Sequence, residues 1–353
     1  MSSTDLFFEL IKVALGNKQS LSKPPTSQEW LSIKRMAEAQ SIDSILLDGF
    51  ERLPKSQFPG FSSPCIAQWI GKAILVEKRN KLLNIRTDET LKYFRNNNFN
   101  CCILKGQGIA KVYPNPLRRM GGDIDVWLAA SRNDIYTFSK RTLGKITGAN
   151  YHHIHYDLFD DVEIEAHIWP SFLSSPYRNF RLHQFSRLHL PNNDVDEPSL
   201  AFNRVFILLH CYRHFCGHGV GMRQIMDYYW VLRQGFTEDE RKDSIKWIKR
   251  LGMMKFAKGM MWFLSKIFGL NDEYLLCLPD ERAGQFLLYE VMETGNMGYY
   301  DNRVNRKAYS TSVRRFIQNL KRDVNTFTLC PHEAFWDPFF SIWNVLKLKF
   351  NGI

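Results

Sequence analysis

Asp123 and Asp125 stand two residues apart in the run Gly121-Gly122-Asp123-Ile124-Asp125-Val126-Trp127-Leu128. Successive side chains of a strand point to opposite faces. The two carboxylates therefore share a face, while Ile124 and Val126 point into a core. Paired carboxylates on one strand face suit a divalent cation. Magnesium takes oxygen ligands, usually a few carboxylates together with substrate phosphates. A bare Asp-x-Asp is equally what a solvated strand edge looks like, so the surrounding elements must decide.

Those elements form an ordered set. Cys101 to Leu104 is a short apolar run of the buried-strand type. Lys105-Gly106 breaks it, and Gln107 to Val112 has helical character. Pro114 and Pro116 end that helix, because proline lacks the amide donor and restricts the residue before it. A glycine turn that opens a helix exposes backbone amides and the positive end of the helix dipole. Lys105, Gly106 and Gln107 are thus a candidate phosphate cradle. Downstream, Tyr151 to Phe159 and Val162 to Ile168 read as a β-hairpin turning at Asp160-Asp161. Val162, Ile164, Ala166 and Ile168 form one face of its second strand; Glu163, Glu165 and His167 form the other. With the apolar face buried, the acidic face can meet Asp123 and Asp125. His153 and His155 share a face of the first strand, beside His152. They are read as part of a hairpin near the cleft rather than as a metal site.

The combination resembles the polymerase-β-like nucleotidyltransferase superfamily. Within it, the chain is similar to an uncharacterised bacterial nucleotidyltransferase family, on Leu104-Lys105-Gly106, Tyr113-Pro114-Asn115-Pro116-Leu117-Arg118 and Gly122-Asp123-Ile124-Asp125. The likeness is densest over about residues 75 to 230. It implies an acidic-x-His pattern on the strand beside Asp-x-Asp, matched by Glu165-Ala166-His167 with Glu in place of Asp. Glu163 is the alternative third ligand. It also implies two Mg²⁺ or Mn²⁺ ions held by Asp123, Asp125 and Glu165, bracing an in-line displacement at phosphorus. The wider superfamily follows the turn glycine with serine; here Gln107 follows, and Lys105 is expected to supply the phosphate contact. Arg118 matches a family position and is expected at the triphosphate or the acceptor, since guanidinium forks suit phosphate. Arg119 is expected in solvent. His167 either orients a carboxylate, fills a core hydrogen bond or acts in the chemistry. A histidine-bearing helix with His210 and His214 precedes Arg223 and Asp227, which match the family's Arg-x-x-x-Asp helix. Arg223 could contact nucleotide or acceptor, or pair with Asp227 as a helix brace. His210 and His214, with Cys211 and Cys216 nearby, lack a second ligand pair, so zinc is not expected there.

The rest of the chain frames this core. Among 353 residues, the 44% hydrophobic and 24% charged content is that of a globular protein. A formal charge of +11 favours polyanionic partners such as nucleotides, nucleic acid or anionic lipid, without choosing among them. Seven scattered cysteines without paired metal spacing fit reduced thiols in a cytoplasm. Neither a secretory signal nor a run of about 20 apolar residues is evident. Leu6–Leu15, a segment capped by Ser27, Ile42–Phe50 and Ile66–Phe94 read as helices. Residues 171 to 198 read as irregular, and helices resume from Ser199. The expected fold is α/β (α+β): a small mixed-sheet core at residues 99–190, between helical regions at 1–98 and 191–353. The basic segment Arg303 to Arg322 and the aromatic end Phe335 to Phe350 could meet nucleic acid or a membrane surface, or simply pack as a solvated helix and tail.

The expected reaction moves a nucleoside monophosphate from an NTP to an acceptor hydroxyl on a small molecule, a protein or an RNA. The competing expectations are a non-catalytic nucleotide- or nucleic-acid-binding module, and an antitoxin-like interaction protein. The sequence does not specify the acceptor, the preferred NTP or the oligomeric state.

Overall fold

A computed structural model of the chain describes residues 2–58, 63–142, 146–303 and 312–350. The chain begins with helices α1 (Ser3–Ala14), α2 (Ser27–Ala39), α3 (Leu47–Arg52) and α4 (Pro64–Asn96). The mixed core follows as β1 (Cys101–Ile103), α5 (Gln107–Ala110), β2 (Ile124–Leu128), α6 (Arg132–Thr142), β3 (Ile146–Ala149), β4 (His153–Tyr156) and β5 (Ile164–His167). Helices resume with α7 (Pro176–Arg187), α8 (Leu200–Gly217), α9 (Met222–Arg233), α10 (Glu238–Leu251) and α11 (Met254–Phe263). They end with α12 (Glu281–Thr294), α13 (Ser312–Thr326) and α14 (Pro331–Phe350). The fold is the expected mixture of helices around a small mixed sheet.

The strands lie in the order β1-β2-β5-β4-β3. β1 runs antiparallel to β2, and β2 runs parallel to β5, pairing Asp125 with Glu165 and Trp127 with His167. β5 and β4 form the hairpin, pairing His153 with His167 and His155 with Glu165. Alternation sorts the side chains. Ile124, Val126, Ile154, Tyr156, Ile164 and Ala166 face one way and pack under Leu83, Leu91 and Phe94 of α4 and Ile135 of α6. Trp127 faces the other way and stacks on Phe202 of α8, with ring centroids 5.3 Å apart.

α4 links the two sides of the molecule. Its 33 residues span about 50 Å at 1.5 Å per residue. Ile66, Trp69 and Ala73 belong to the helical core, whereas Leu83, Leu91 and Phe94 cover the sheet. Between them, buried Asn80 donates from Nδ2 to the carbonyls of Leu117 (2.7 Å) and Arg119 (2.6 Å), fixing the loop that leads into β2.

Four local expectations are corrected. Thr26, not Ser27, caps α2: its hydroxyl accepts from the Glu29 amide, and Glu29 accepts from the Thr26 amide at 2.8 Å. The helix expected over Ile42–Phe50 is confined to α3. Residues 171–198 contain α7, which opens at Pro176, where a missing amide proton is tolerated because first-turn amides have no helical partner. Strand β3 was not anticipated. Of the basic segment, residues 304–311 lie outside the described residues. Arg303 is ion-paired with Glu290 (2.7 Å) and Asp301 (2.9 Å), and Arg322 with Glu290 (3.3 Å).

Candidate active site

The parallel pairing of β2 with β5 sets Asp125 beside Glu165 on the sheet face away from the α4–α6 core. Asp125 is 1% exposed. Its Oδ1 accepts from Nε2 of His167 at 2.8 Å and lies 3.0 Å from Nζ of Lys105. Its Oδ2 is buried and has no hydrogen-bond partner among the described residues. The same His167 nitrogen lies 3.4 Å from Glu165 Oε2. Of the open alternatives for His167, the geometry shows an imidazole holding two carboxylates.

The charges follow from this packing. Burial opposes ionisation of Glu165, but the His167 hydrogen bond and the neighbouring His153 and Lys105 outweigh it, holding its carboxyl at about 2. Asp125 is likewise held below the usual carboxylate range: burial works against its charge, and Lys105 and His167 more than offset this. Burial alone would lower His167, yet Asp125 and Glu165 raise it to about 9. Lys105 is kept charged against its burial by Asp125, Asp123 and Glu165.

Lys105 reaches this position from a tight turn. Gly106 has φ 59° and ψ −115°, a conformation that L side chains rarely adopt. A Cβ on Gly108 would lie 2.7 Å from the Ile103 carbonyl oxygen, so only glycine lets α5 sit this close to the end of β1. The helix is a single turn, and the Gly108 and Ala110 amides already donate to the Lys105 and Gly106 carbonyls. The Gln107 side chain turns back to donate to Asn84 of α4. Lys105 points at Asp125 in this structure.

Carboxylates hold both arginines. Arg118 directs Nε to Glu77 (3.2 Å), Nη2 to Glu51 (2.6 Å) and Nη1 to Asp48, all on α3 and α4. Arg119, expected in solvent, is 3% exposed. It forks onto Asp227 of α9, which also accepts from the Tyr113 hydroxyl at 2.7 Å. With Asp227 so engaged, the hydrogen bond of Arg223 runs to the Met120 carbonyl (3.0 Å), and its Nε is buried without a hydrogen-bond partner among the described residues. Arg223 is close enough to Asp123 for that carboxylate's charge to act on it.

Across from the sheet, α8 carries His210 and His214 with ring centroids 4.4 Å apart. Burial pushes both imidazoles down, His214 to about 3, and the charge of Lys105 adds to the effect on each. Cys211 and Cys216 are buried free thiols, and none of these four residues falls in a potential metal cluster among the described residues.

The sequence profile of a family described as uncharacterised nucleotidyltransferase matches residues 26–269, more than half of the chain. The chain belongs to that nucleotidyltransferase family. The matched stretch takes in all the residues singled out, from Lys105 to Arg223, and leaves out α1, α12, α13 and α14. No curated protein is similar enough to the chain to be matched to it. Among the described residues of this nucleotidyltransferase family member, no helix is long and apolar enough to cross a membrane.

A divalent cation fits the donors present. Carboxylate oxygens of Asp125 and Glu165 lie within 4.8 Å of each other, and the Asp125 Oδ2 that has no partner among the described residues is an oxygen that a cation would satisfy. Asp123 is half-buried just before β2, near enough to Lys105 and Arg223 to influence both. Sequence reasoning missed Asn80, Arg119 and Tyr113 as the residues that hold the loop before β2. Their partners are remote in the chain, so periodicity carried no signal for them.

Proposed function

We propose that this protein transfers a nucleoside monophosphate from an NTP to an acceptor hydroxyl, releasing pyrophosphate, with Asp123, Asp125 and Glu165 holding divalent cations, Mg²⁺ or Mn²⁺. The observation that carries this reading is the pairing of Asp125 with Glu165 on adjacent parallel strands. It places two ionised carboxylates, one with an unpartnered buried oxygen, beside Lys105. Bound cations would neutralise the triphosphate and lower the pKa of the acceptor hydroxyl.

The chain's own residues have separable tasks. A carboxylate held at about 2, as Glu165 is, stays ionised at neutral pH and serves as a ligand rather than a base. The acceptor oxygen bonds to the α-phosphorus as the bond to the bridging oxygen breaks. Pyrophosphate leaves with that electron pair, and the hydroxyl proton passes to water. His167 holds the two carboxylates at one spacing; Glu163 stands beyond them as a hydrogen-bond partner of His155. The Gly106 turn contributes backbone amides, because the Gln107 side chain is occupied by Asn84. Arg223, rather than Arg118, is the guanidinium we assign to the triphosphate or the acceptor.

One observation favours a second reading. Asp125 Oδ1 is already matched by two cationic side chains, Lys105 and His167, as in a non-catalytic nucleotide-binding module whose acidic pair has become structural. Incubation with α-labelled NTPs, Mg²⁺ or Mn²⁺, and pooled RNA, metabolite extract or the protein itself separates the two. Label transferred by the intact protein and lost in Asp123→Ala and Glu165→Gln, with circular dichroism unchanged, is the expected result. Absent transfer, with equal NTP binding by all three proteins, would establish the second reading instead.

A further inference from the structure

We propose that His153, His155 and Glu165 form a separate site for a divalent transition ion of the zinc class. The site needs no nucleotide chemistry and shares only Glu165 with the carboxylate face. Alternation along β4 puts His153 and His155 on one side, and the antiparallel register sets His167 and Glu165 opposite them. Opposed residues of such a ladder have Cβ atoms about 5 Å apart, so the backbone alone gathers these side chains.

The hydrogen bonds aim the rings. His155 Nδ1 lies 2.7 Å from Glu163 Oε1. An ionised carboxylate only accepts, so Nδ1 carries the proton and the lone pair of neutral His155 lies on Nε2. His153 Nδ1 faces His152 Nε2 at 3.2 Å and Glu165 Oε2 at 3.4 Å, which places its proton on Nδ1 too. The two Nε2 atoms then meet at 3.2 Å. An ion placed between them would take both lone pairs, replacing the hydrogen bond that His153 Nε2 accepts from Asn150 Nδ2. Four ligands about 2.1 Å from a tetrahedral ion are themselves about 3.4 Å apart. The two imidazoles are thus spaced as neighbouring ligands of one ion, with the donor atoms of His153, His155 and Glu165 all within 4.8 Å.

The donor chemistry selects the ion. Imidazole nitrogen suits zinc, nickel and copper, whereas magnesium prefers an all-oxygen shell. Glu163 hydrogen-bonded to a ligand histidine is the usual carboxylate–histidine–metal arrangement. Asn150 Nδ2 lies 2.7 Å from His153 Nε2 and donates to it; a half-turn of the amide would free that lone pair for the ion and offer Oδ1 as a further oxygen donor.

The test is zinc binding by the full-length protein after chelator treatment, read by equilibrium dialysis with elemental analysis in millimolar Mg²⁺. We expect one Zn²⁺ per chain, retained in Asp123→Ala, lost in His153→Ala/His155→Ala, and bound about tenfold more weakly in Glu163→Gln. X-ray absorption at the zinc edge of the unmutated protein should show imidazole scattering near 2.0 Å, a readout independent of any variant's folding. No stoichiometric zinc, an all-oxygen shell, or undiminished binding by a folded His153→Ala/His155→Ala protein would overturn the proposal. Because label transfer and zinc content are measured separately, either reading can fail without the other.

Discussion

Arg119 and Asp227 form a two-pronged buried ion pair, Nε to Oδ1 at 2.7 Å and Nη2 to Oδ2 at 2.8 Å, which ties the loop before β2 to α9. Removing one partner strands the other's charge away from water. Arg119→Ala is expected to lower unfolding stability by about 3–5 kcal/mol, measured by urea denaturation. A loss below about 1 kcal/mol would mean that water enters and solvates Asp227.

Arg118 and Arg223 should separate stability from nucleotide affinity. Arg118 is held by three acids of α3 and α4, so Arg118→Ala should lower the unfolding midpoint and leave the NTP dissociation constant unchanged. Arg223→Ala should weaken NTP binding about tenfold, a loss of about 1.4 kcal/mol, read by calorimetric titration. The reverse pattern would restore the triphosphate role first expected of Arg118.

His167 gives stability a pH dependence with a definite sign. Its ordinary value is 6.5 and its folded value about 9. The stabilisation is fully present below pH 6.5 and is lost as pH rises through about 9. Glu165 works at the other end: held at about 2 against an ordinary 4.5, it stabilises above pH 4.5 and ceases to as pH falls towards 2. Urea midpoints should decline between pH 6.5 and 9, and His167→Gln should flatten that decline. A slope unaltered by the substitution would place the titrating group elsewhere.

The Lys105 turn predicts a graded pair of glycine variants. Gly106→Ala meets φ 59° with ψ −115°, outside the left-handed helical well, a strain worth about 1–3 kcal/mol. Gly108→Ala meets the Ile103 carbonyl at 2.7 Å, a backbone atom that cannot step aside without moving β1. Thermal melts should rank Gly108→Ala below Gly106→Ala. Equal melting temperatures would show that α5 can slide along the strand.

Local alternation made β2, β4 and β5 legible, and with them the shared face of Asp125, Glu165 and His167. Each strand carries a two-residue period that a single sequence displays. Arg118 and Arg119 were not legible, because adjacent arginines in a loop have no period. Asp227, which chooses between them, lies 108 residues further on. Helix α7 was hidden by its own first residue, since a proline that starts a helix looks like one that breaks it. The histidines of β4 were visible as a cluster, but their ring directions depend on Glu163 and on a register that only the folded hairpin provides.

The pairing of β2 with β5 also determines which genetic changes this region can absorb. Faces alternate with every residue, so adding or removing one residue just ahead of Ile164 would turn Ile164 and Ala166 outward and send Glu165 and His167 under α4. A substitution there alters one contact; a single-codon insertion inverts the strand. Lineages carrying this fold should therefore accumulate length changes between the strands and almost none within them or at their edges.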